Sequence, residues 1–241
     1  MTRLSIIIPV FNEINTVETV LIKIAQVKLP KIKKEVIVID DGSSDGTAKL
    51  LRLIKTKYKF LLLTNKQNSG KGYCVRKGLK KSTGDIILIQ DADLEYKVEE
   101  YPQVLKPILE GKVDFVLGSR HLNTKASKTR QFLDSKYYAK VLNYGSIGYS
   151  KLVNILLGLN ITDPGTMFKV FRRECLEGIT LKSNHFDIDW EIVAKFTKKG
   201  IIPFEVPVSY KSRSPKEGKK IKLGKDGFLI LKAIIKYRFM N

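Results

Sequence analysis

Apolar and polar positions alternate along the first half of the chain in two distinct periods. Short runs rich in Ile, Val and Leu fall at residues 4–10, 35–40, 59–64, 85–90 and 113–118. They are apolar throughout rather than at every second position, the pattern of strands buried on both faces. Between them, residues 16–27, 46–57, 71–81 and 99–110 carry the spacing of amphipathic helices, with Ser44 or Asp45 placed to cap the second. This βαβα order predicts an α/β fold with a Rossmann-like, mostly parallel sheet covered by helices on both sides. Ligands of such sheets bind beyond the carboxyl ends of the strands. The polar groups there are Asn12-Glu13, Asp40-Asp41, residues 65–71, Asp91-Ala92-Asp93 and Ser119-Arg120, so these should converge on one crevice.

The second half reads differently. A long helix is predicted over 132–159, then a strand at 167–171, a helix near 190–199 and a strand at 201–208. A basic loop, 211–222, leads to a final amphipathic helix at 225–238. We read the chain as one domain, 1–241, with a nucleotide-binding half (1–120) and a fused acceptor-binding half (121–241).

The pair Asp91 and Asp93 closes the apolar run 86–90. Side chains two residues apart on a strand point the same way. Two carboxylates on one side repel unless a cation lies between them, and a hard divalent ion, Mg²⁺ or Mn²⁺, suits oxygen ligands and phosphates alike. The stretch Asp40-Asp41-Gly42-Ser43-Ser44-Asp45-Gly46-Thr47 ends a strand, turns and opens a helix. Carboxylates there can accept from a nucleobase or a ribose, and the same residues also suit a tight turn with a helix cap.

Two phosphate motifs fail. Gly70-Lys71-Gly72 lacks the P-loop spacing, and Val75 stands where a dinucleotide fingerprint needs its third glycine. Lys71 is left to face the donor or to start its helix.

Forty-four Lys and Arg against 24 Asp and Glu give a formal net charge of +20, which favours anionic partners. No helix-turn-helix, zinc or RNA-recognition pattern accompanies that charge, and acidic strand ends repel nucleic acid. Cys74 and Cys175 form no metal or disulfide pattern, and a reducing, cytoplasmic setting is expected. No leader or spanning segment is recognisable; the late apolar stretch 228–240 is broken by Lys232, Lys236 and Arg238. Basic clusters (Lys125, Lys128, Arg130, Lys136, Lys140; Lys219, Lys220, Lys222, Lys225) beside aromatic and apolar helices suggest peripheral attachment to an anionic, cytosolic membrane face.

Five segments in order resemble glycosyltransferase family 2: Ile7-Ile8-Pro9-Val10-Phe11-Asn12-Glu13, residues 39–47, Asn68-Ser69-Gly70-Lys71-Gly72, Gln90-Asp91-Ala92-Asp93-Leu94-Glu95, and Gly118-Ser119-Arg120. Residues 162–174 and 205–220 are similar to the subgroup that acts on dolichyl and other polyprenyl phosphates. The resemblance implies a GT-A fold and inverting transfer of a hexose from a nucleotide-diphosphate sugar of the GDP-mannose or UDP-glucose type. It places Pro9, Phe11, Glu13, Asp40 or Asp41, and Ser43 at the nucleoside. Asp91 and Asp93, with Glu95, would hold the metal, and Ala92 and Lys71 would face the donor. Arg120, Lys169 and Arg213 would meet phosphate. Gly165-Thr166-Met167-Phe168 departs from the Cys-Gly-Phe type of string in many relatives, and several relatives carry membrane helices after the catalytic domain, so the acceptor stays open.

The acceptor decides the remaining chemistry. A lipid phosphate is already ionised near neutral pH and needs cations rather than a base. A saccharide hydroxyl needs a carboxylate base, for which Asp189 and Glu191, beside Trp190, are the candidates.

Overall fold

The computed structural model describes residues 1–132, 135–221 and 223–239. Positions 133 and 134 of the expected long helix, Lys222, the Lys225 side chain and Met240 lie outside that description. Seven strands form one sheet: β1 (Thr2–Val10), β2 (Ile32–Asp40), β3 (Leu61–Thr64), β4 (Ile86–Ile89), β5 (Phe115–Ser119), β6 (Lys169–Arg172) and β7 (Phe204–Pro207). Their order is β3-β2-β1-β4-β6-β5-β7. The helices are α1 (Val17–Gln26), α2 (Thr47–Ile54), α3 (Lys71–Lys81), α4 (Tyr101–Leu109), α5 (Lys136–Leu157), α6 (Ile188–Lys198) and α7 (Leu223–Phe239).

The expected elements are present with shifted ends. β2 begins three residues earlier than its apolar run, because Ile32–Lys34 pair with the start of β1. β3 begins later, since Phe60 still donates to the Lys55 carbonyl at the end of α2. Burial follows the periodicities that predicted the elements: all four residues of β4 are buried, and α1 buries Val17, Val20, Leu21 and Ile24, one stripe of the helix.

β6 enters between β4 and β5 and runs antiparallel to both, pairing Ile87 with Phe171 and Val116 with Val170. Phe115, Phe171 and Phe196 pack edge to face around this insertion, with ring centroids 5.0–6.3 Å apart. β7 extends the sheet beyond β5. The second half is therefore continuous with the first through one sheet and one core. Parallel register sets Val10 beside Asp40 and Asp40 beside Thr64, so the loops after β1, β2 and β3 leave the sheet at one edge.

Candidate active site

A cleft of about 720 Å³ lies over that edge. One end is charged, lined by Glu13, Lys71, Asp91, Asp93, Glu95, Asp189, Arg120, Arg130 and Arg213. The other end is mainly apolar, lined by Val141, Leu142 and Tyr149 of α5, Ile230 of α7, Met167, Trp190 and Ile221, and it includes the buried Asp226 of α7.

Asp91 and Asp93 both line the charged end, on the turn after β4. Gln90 shapes this turn: it is fully buried, donates to the Asp91 carbonyl and accepts from the Tyr101 hydroxyl at 3.1 Å. Leu94 takes a left-handed conformation (φ 61°) that turns the chain back. Asp91 faces the Lys71 ammonium at 3.4 Å, and Asp93 faces Arg213 at 3.3 Å. Burial, then the Asp91 and Glu95 charges, pushes the Asp93 carboxyl up to about 7, despite Arg213. Burial also raises Asp91, with Lys71 opposing.

These two carboxylates fit a hard divalent cation, because burial and neighbouring carboxylate charges hold each above its ordinary range even with Lys71 and Arg213 beside them. Among the described residues no group of three His, Cys, Asp or Glu side chains converges to hold a metal by itself. Two carboxylates with the rest of the shell from phosphate and water is the usual arrangement for Mg²⁺. Glu95 corrects the expected ligand set. Its oxygens accept from the Arg213 amide (2.7 Å), the Tyr210 hydroxyl (2.7 Å) and the Lys219 ammonium (3.0 Å). Burial alone would raise Glu95, but Lys219 and these donors outweigh it and hold the carboxyl low. It serves as an anchor for the 210–219 segment.

Beside the ends of β1, β2 and β4, Pro9, Val10, Phe11, Glu13, Asp41 and Ala92 line the cleft. Glu13 takes Arg213 bidentately, both contacts at 2.9 Å, and also pairs with Lys220. Asp41 accepts from the Ser69 and Gly70 amides at 2.9 and 2.8 Å and from Asn65 at 2.7 Å, which shapes the loop before α3. Asp40 is buried and absent from the cleft wall; one oxygen accepts from the Ser43 amide, and Oδ2 has no hydrogen-bond partner among the described residues. The Ser43 hydroxyl accepts from the Asn12 amide at 2.9 Å, joining the loops after β1 and β2. Asp45, rather than Ser44, accepts from the Thr47 amide at the start of α2.

The glycines around Lys71 answer to packing. A Cβ on Gly70 would lie 2.2 Å from the Asn184 carbonyl, and one on Gly72 2.5 Å from the Ser183 carbonyl. The 182–187 loop crosses α3 there, tied by the Tyr73 amide to Asn184 (3.1 Å). It brings His185 and Phe186 to the cleft, and Asp189 follows on the first turn of α6. Glu191 holds this loop from below: it is fully buried and accepts from the Lys182 and Ser183 amides and from Lys195. Glu191 is therefore structural and is withdrawn as a candidate base. Asp189 reaches the cleft with its two oxygens facing Lys71 (3.1 Å) and Lys169 (3.4 Å).

Lys169 is also corrected. It has no exposure, lies behind the cleft and donates to the Pro164 and Thr166 carbonyls. Burial pulls its ammonium down to about 8. Arg120 does reach the cleft, clamped by Asp163 through two 2.6 Å contacts and lying 5.0 Å over the Tyr210 ring. Arg130, expected only at a membrane face, lines the same cleft, and burial followed by the nearby Arg120 lowers its pKa. Two guanidiniums facing one space suit a phosphate. Its only signal in the sequence was an arginine ten residues beyond Gly-Ser-Arg.

Residues 5–180 match the model of glycosyl transferase family 2, and the chain belongs to that family. It is 32% identical to a dolichyl-phosphate beta-glucosyltransferase of Dictyostelium discoideum over 98% of this chain and 74% of that protein. A UDP-N-acetylglucosamine–dolichyl-phosphate N-acetylglucosaminyltransferase of Methanococcus voltae is 26% identical, over 91% of this chain and 90% of the other. A dolichol-phosphate mannosyltransferase of Pyrococcus furiosus is 28% identical over 91% of this chain, which spans 60% of that longer protein. Among solved structures, glucosyl-3-phosphoglycerate synthase of Mycobacterium tuberculosis, in complex with Mg²⁺ and uridine-diphosphate, superimposes with a TM-score of 0.73. The match covers all of this chain and 80% of that one at 17% identity, and it establishes the shared GT-A fold.

Proposed function

We propose that this glycosyltransferase moves a hexose, with inversion, from a nucleotide-diphosphate sugar to a polyprenyl phosphate at a membrane surface. The observation that carries the reading is the cleft's lining, charged over the strand ends and mainly apolar between α5 and α7, where Asp226 is its one acidic group among the described residues. A lipid phosphate has that same division. The names of three relatives, each a transferase for dolichol or dolichyl phosphate, support it.

Asp91 and Asp93 would hold Mg²⁺ or Mn²⁺, which supplies charge stabilisation to the departing diphosphate. Pro9, Phe11, Glu13 and Asp41 shape the nucleoside end, and Arg120 and Arg130 bring the acceptor phosphate against the donor. An ionised phosphate attacks without a base, which suits a cleft whose Asp189 faces two ammonium groups. A saccharide hydroxyl, the other acceptor the family allows, would leave the apolar end without a role.

No helix among the described residues is long and apolar enough to cross a membrane. Peripheral attachment is supported by Tyr137, Tyr144, Phe228, Ile235 and Phe239, all exposed on α5 and α7 near Lys140, Lys232 and Lys236.

The test is transfer of label from GDP-mannose, UDP-glucose and UDP-N-acetylglucosamine to added polyprenyl phosphate with Mn²⁺. Label should enter the organic phase; label confined to aqueous products would refute the lipid acceptor. Asp91→Asn and Asp93→Asn should each abolish metal-dependent turnover while the protein still unfolds cooperatively.

A further inference from the structure

Five carboxylates over the strand ends each face a cation from the protein. Glu13 pairs with Arg213 and Lys220, Asp93 with Arg213, and Glu95 with Lys219. Asp91 pairs with Lys71, and Asp189 with Lys71 and Lys169. Five carboxylates thus stand against five cationic groups in the protein itself. Three of its cations, Arg213, Lys219 and Lys220, come from one segment after β7. That segment lies across the strand ends, and Lys220 also donates to the Phe11 carbonyl.

Resting on the donor-site reading above, we propose that Arg213, Lys219 and Lys220 are resident counter-ions that make divalent-cation binding conditional on the donor diphosphate. A divalent ion arriving alone adds two positive charges where each carboxylate already faces a cation, and must part Asp93 from Arg213 and Asp91 from Lys71. In a half-buried site that excess is poorly screened. A sugar nucleotide arriving alone adds two negative charges beside the same aspartates. Together they add none, and the diphosphate gives Arg213 an anion to move to. Among the described residues no third His, Cys, Asp or Glu joins the two aspartates, so diphosphate oxygens are needed to complete the ion's shell as well. Lys219 and Lys220 act as positioning residues, holding the segment on Glu95 and Glu13 so that Arg213 stands at the exchange point.

The test measures free Mn²⁺ by electron paramagnetic resonance during titration of the full chain. Titrations are run without nucleotide and with GDP-mannose or UDP-glucose, omitting the acceptor and correcting for Mn²⁺ held by nucleotide in solution. Mn²⁺ should bind at least about tenfold tighter with the matching sugar nucleotide, and Mn²⁺ should tighten the nucleotide by the same factor. In Lys219→Met and Lys220→Met, Mn²⁺ alone should bind several-fold tighter and the coupling should shrink. Lys220→Arg should restore it, which separates loss of charge from misfolding. Lys216→Met, on the same segment but exposed, should match the wild type. Equal Mn²⁺ affinity with and without a nucleotide that does bind would overturn the inference and leave the donor site standing. Unchanged Mn²⁺ affinity in both lysine variants would also overturn it. Failure of both sugar nucleotides to bind with Mn²⁺ would refute the donor site and the inference together.

Discussion

Removing the charge of Asp163 should expose how Arg120 is kept in place. Asp163 has no exposure and Arg120 only 6%. The carboxylate receives the Arg120 amide at 3.0 Å and two guanidinium nitrogens at 2.6 Å each. Burial alone would raise the Asp163 carboxyl, but the adjoining guanidinium outweighs it and holds the carboxyl well below the usual range. Asp163→Asn keeps the shape and leaves a buried guanidinium unpaired, a loss of about 3–5 kcal/mol. For a chain of this size that corresponds to a fall in unfolding midpoint of roughly 6–20 °C. The double variant Arg120→Met/Asp163→Asn removes both charges and should cost far less than Arg120→Met and Asp163→Asn combined, with a coupling of about 2–3 kcal/mol. Urea unfolding of all four proteins at pH 7 provides the cycle. The depressed carboxyl places the pair's contribution above the unfolded-state value near 4, to be lost as pH falls below it, so the gap between wild type and Asp163→Asn should narrow in acid. A cost below about 1 kcal/mol for Asp163→Asn, or a strictly additive double variant, would refute the argument.

Gly72→Ala places a methyl 2.5 Å from the Ser183 carbonyl and should cost about 1–3 kcal/mol while lowering turnover, because the 182–187 loop, which leads into the α6 turn bearing Asp189, must shift. Gly148→Ala, on α5 with open space around it, should be neutral or stabilising; equal losses in the two variants by thermal unfolding would contradict this. Lys169 holds its proton less tightly folded than unfolded, so its contribution to stability should grow as pH rises from about 8 towards 10.5, by up to roughly 3 kcal/mol. Denaturant titrations across that window should show a shallower rise in Lys169→Met, and identical slopes would rule the assignment out. The chain should float with anionic vesicles at low salt, and Phe228→Ser/Phe239→Ser should reduce the floated fraction several-fold; wild-type protein left at the bottom of the gradient would remove the membrane proposal.

The sheet and its ligand-binding edge were legible because buried parallel strands must be apolar on both faces, and each such run stopped at a polar group. The same logic put Asp91 and Asp93 on one wall. It did not show that β6 runs antiparallel between β4 and β5, since a four-residue strand carries no mark of its direction. Lys169 and Glu191 were misread as site residues for a related reason. Lys169 was expected at phosphate from the family resemblance and Glu191 as a base for a saccharide acceptor, but their partners, the 164 and 166 carbonyls and the 182 and 183 amides, belong to loops whose positions local pattern does not reveal. Lys169 in the run Met167-Phe168-Lys169-Val170-Phe171 was the available sign that a buried ion pair was needed.

Taken alone, the order of residues determined the alternation of strands and helices, the edge at which function gathers and the acidic pair at its centre. Those follow from side-chain period and burial, which are local. Which cation meets which carboxylate was decided only by the tertiary structure: Arg213 reaches Glu13 across 200 residues of chain, and Arg120 reaches Asp163 across 43. Charge attracts through space without regard to sequence, so the site's electrostatics came into existence only when the sheet brought its loops together.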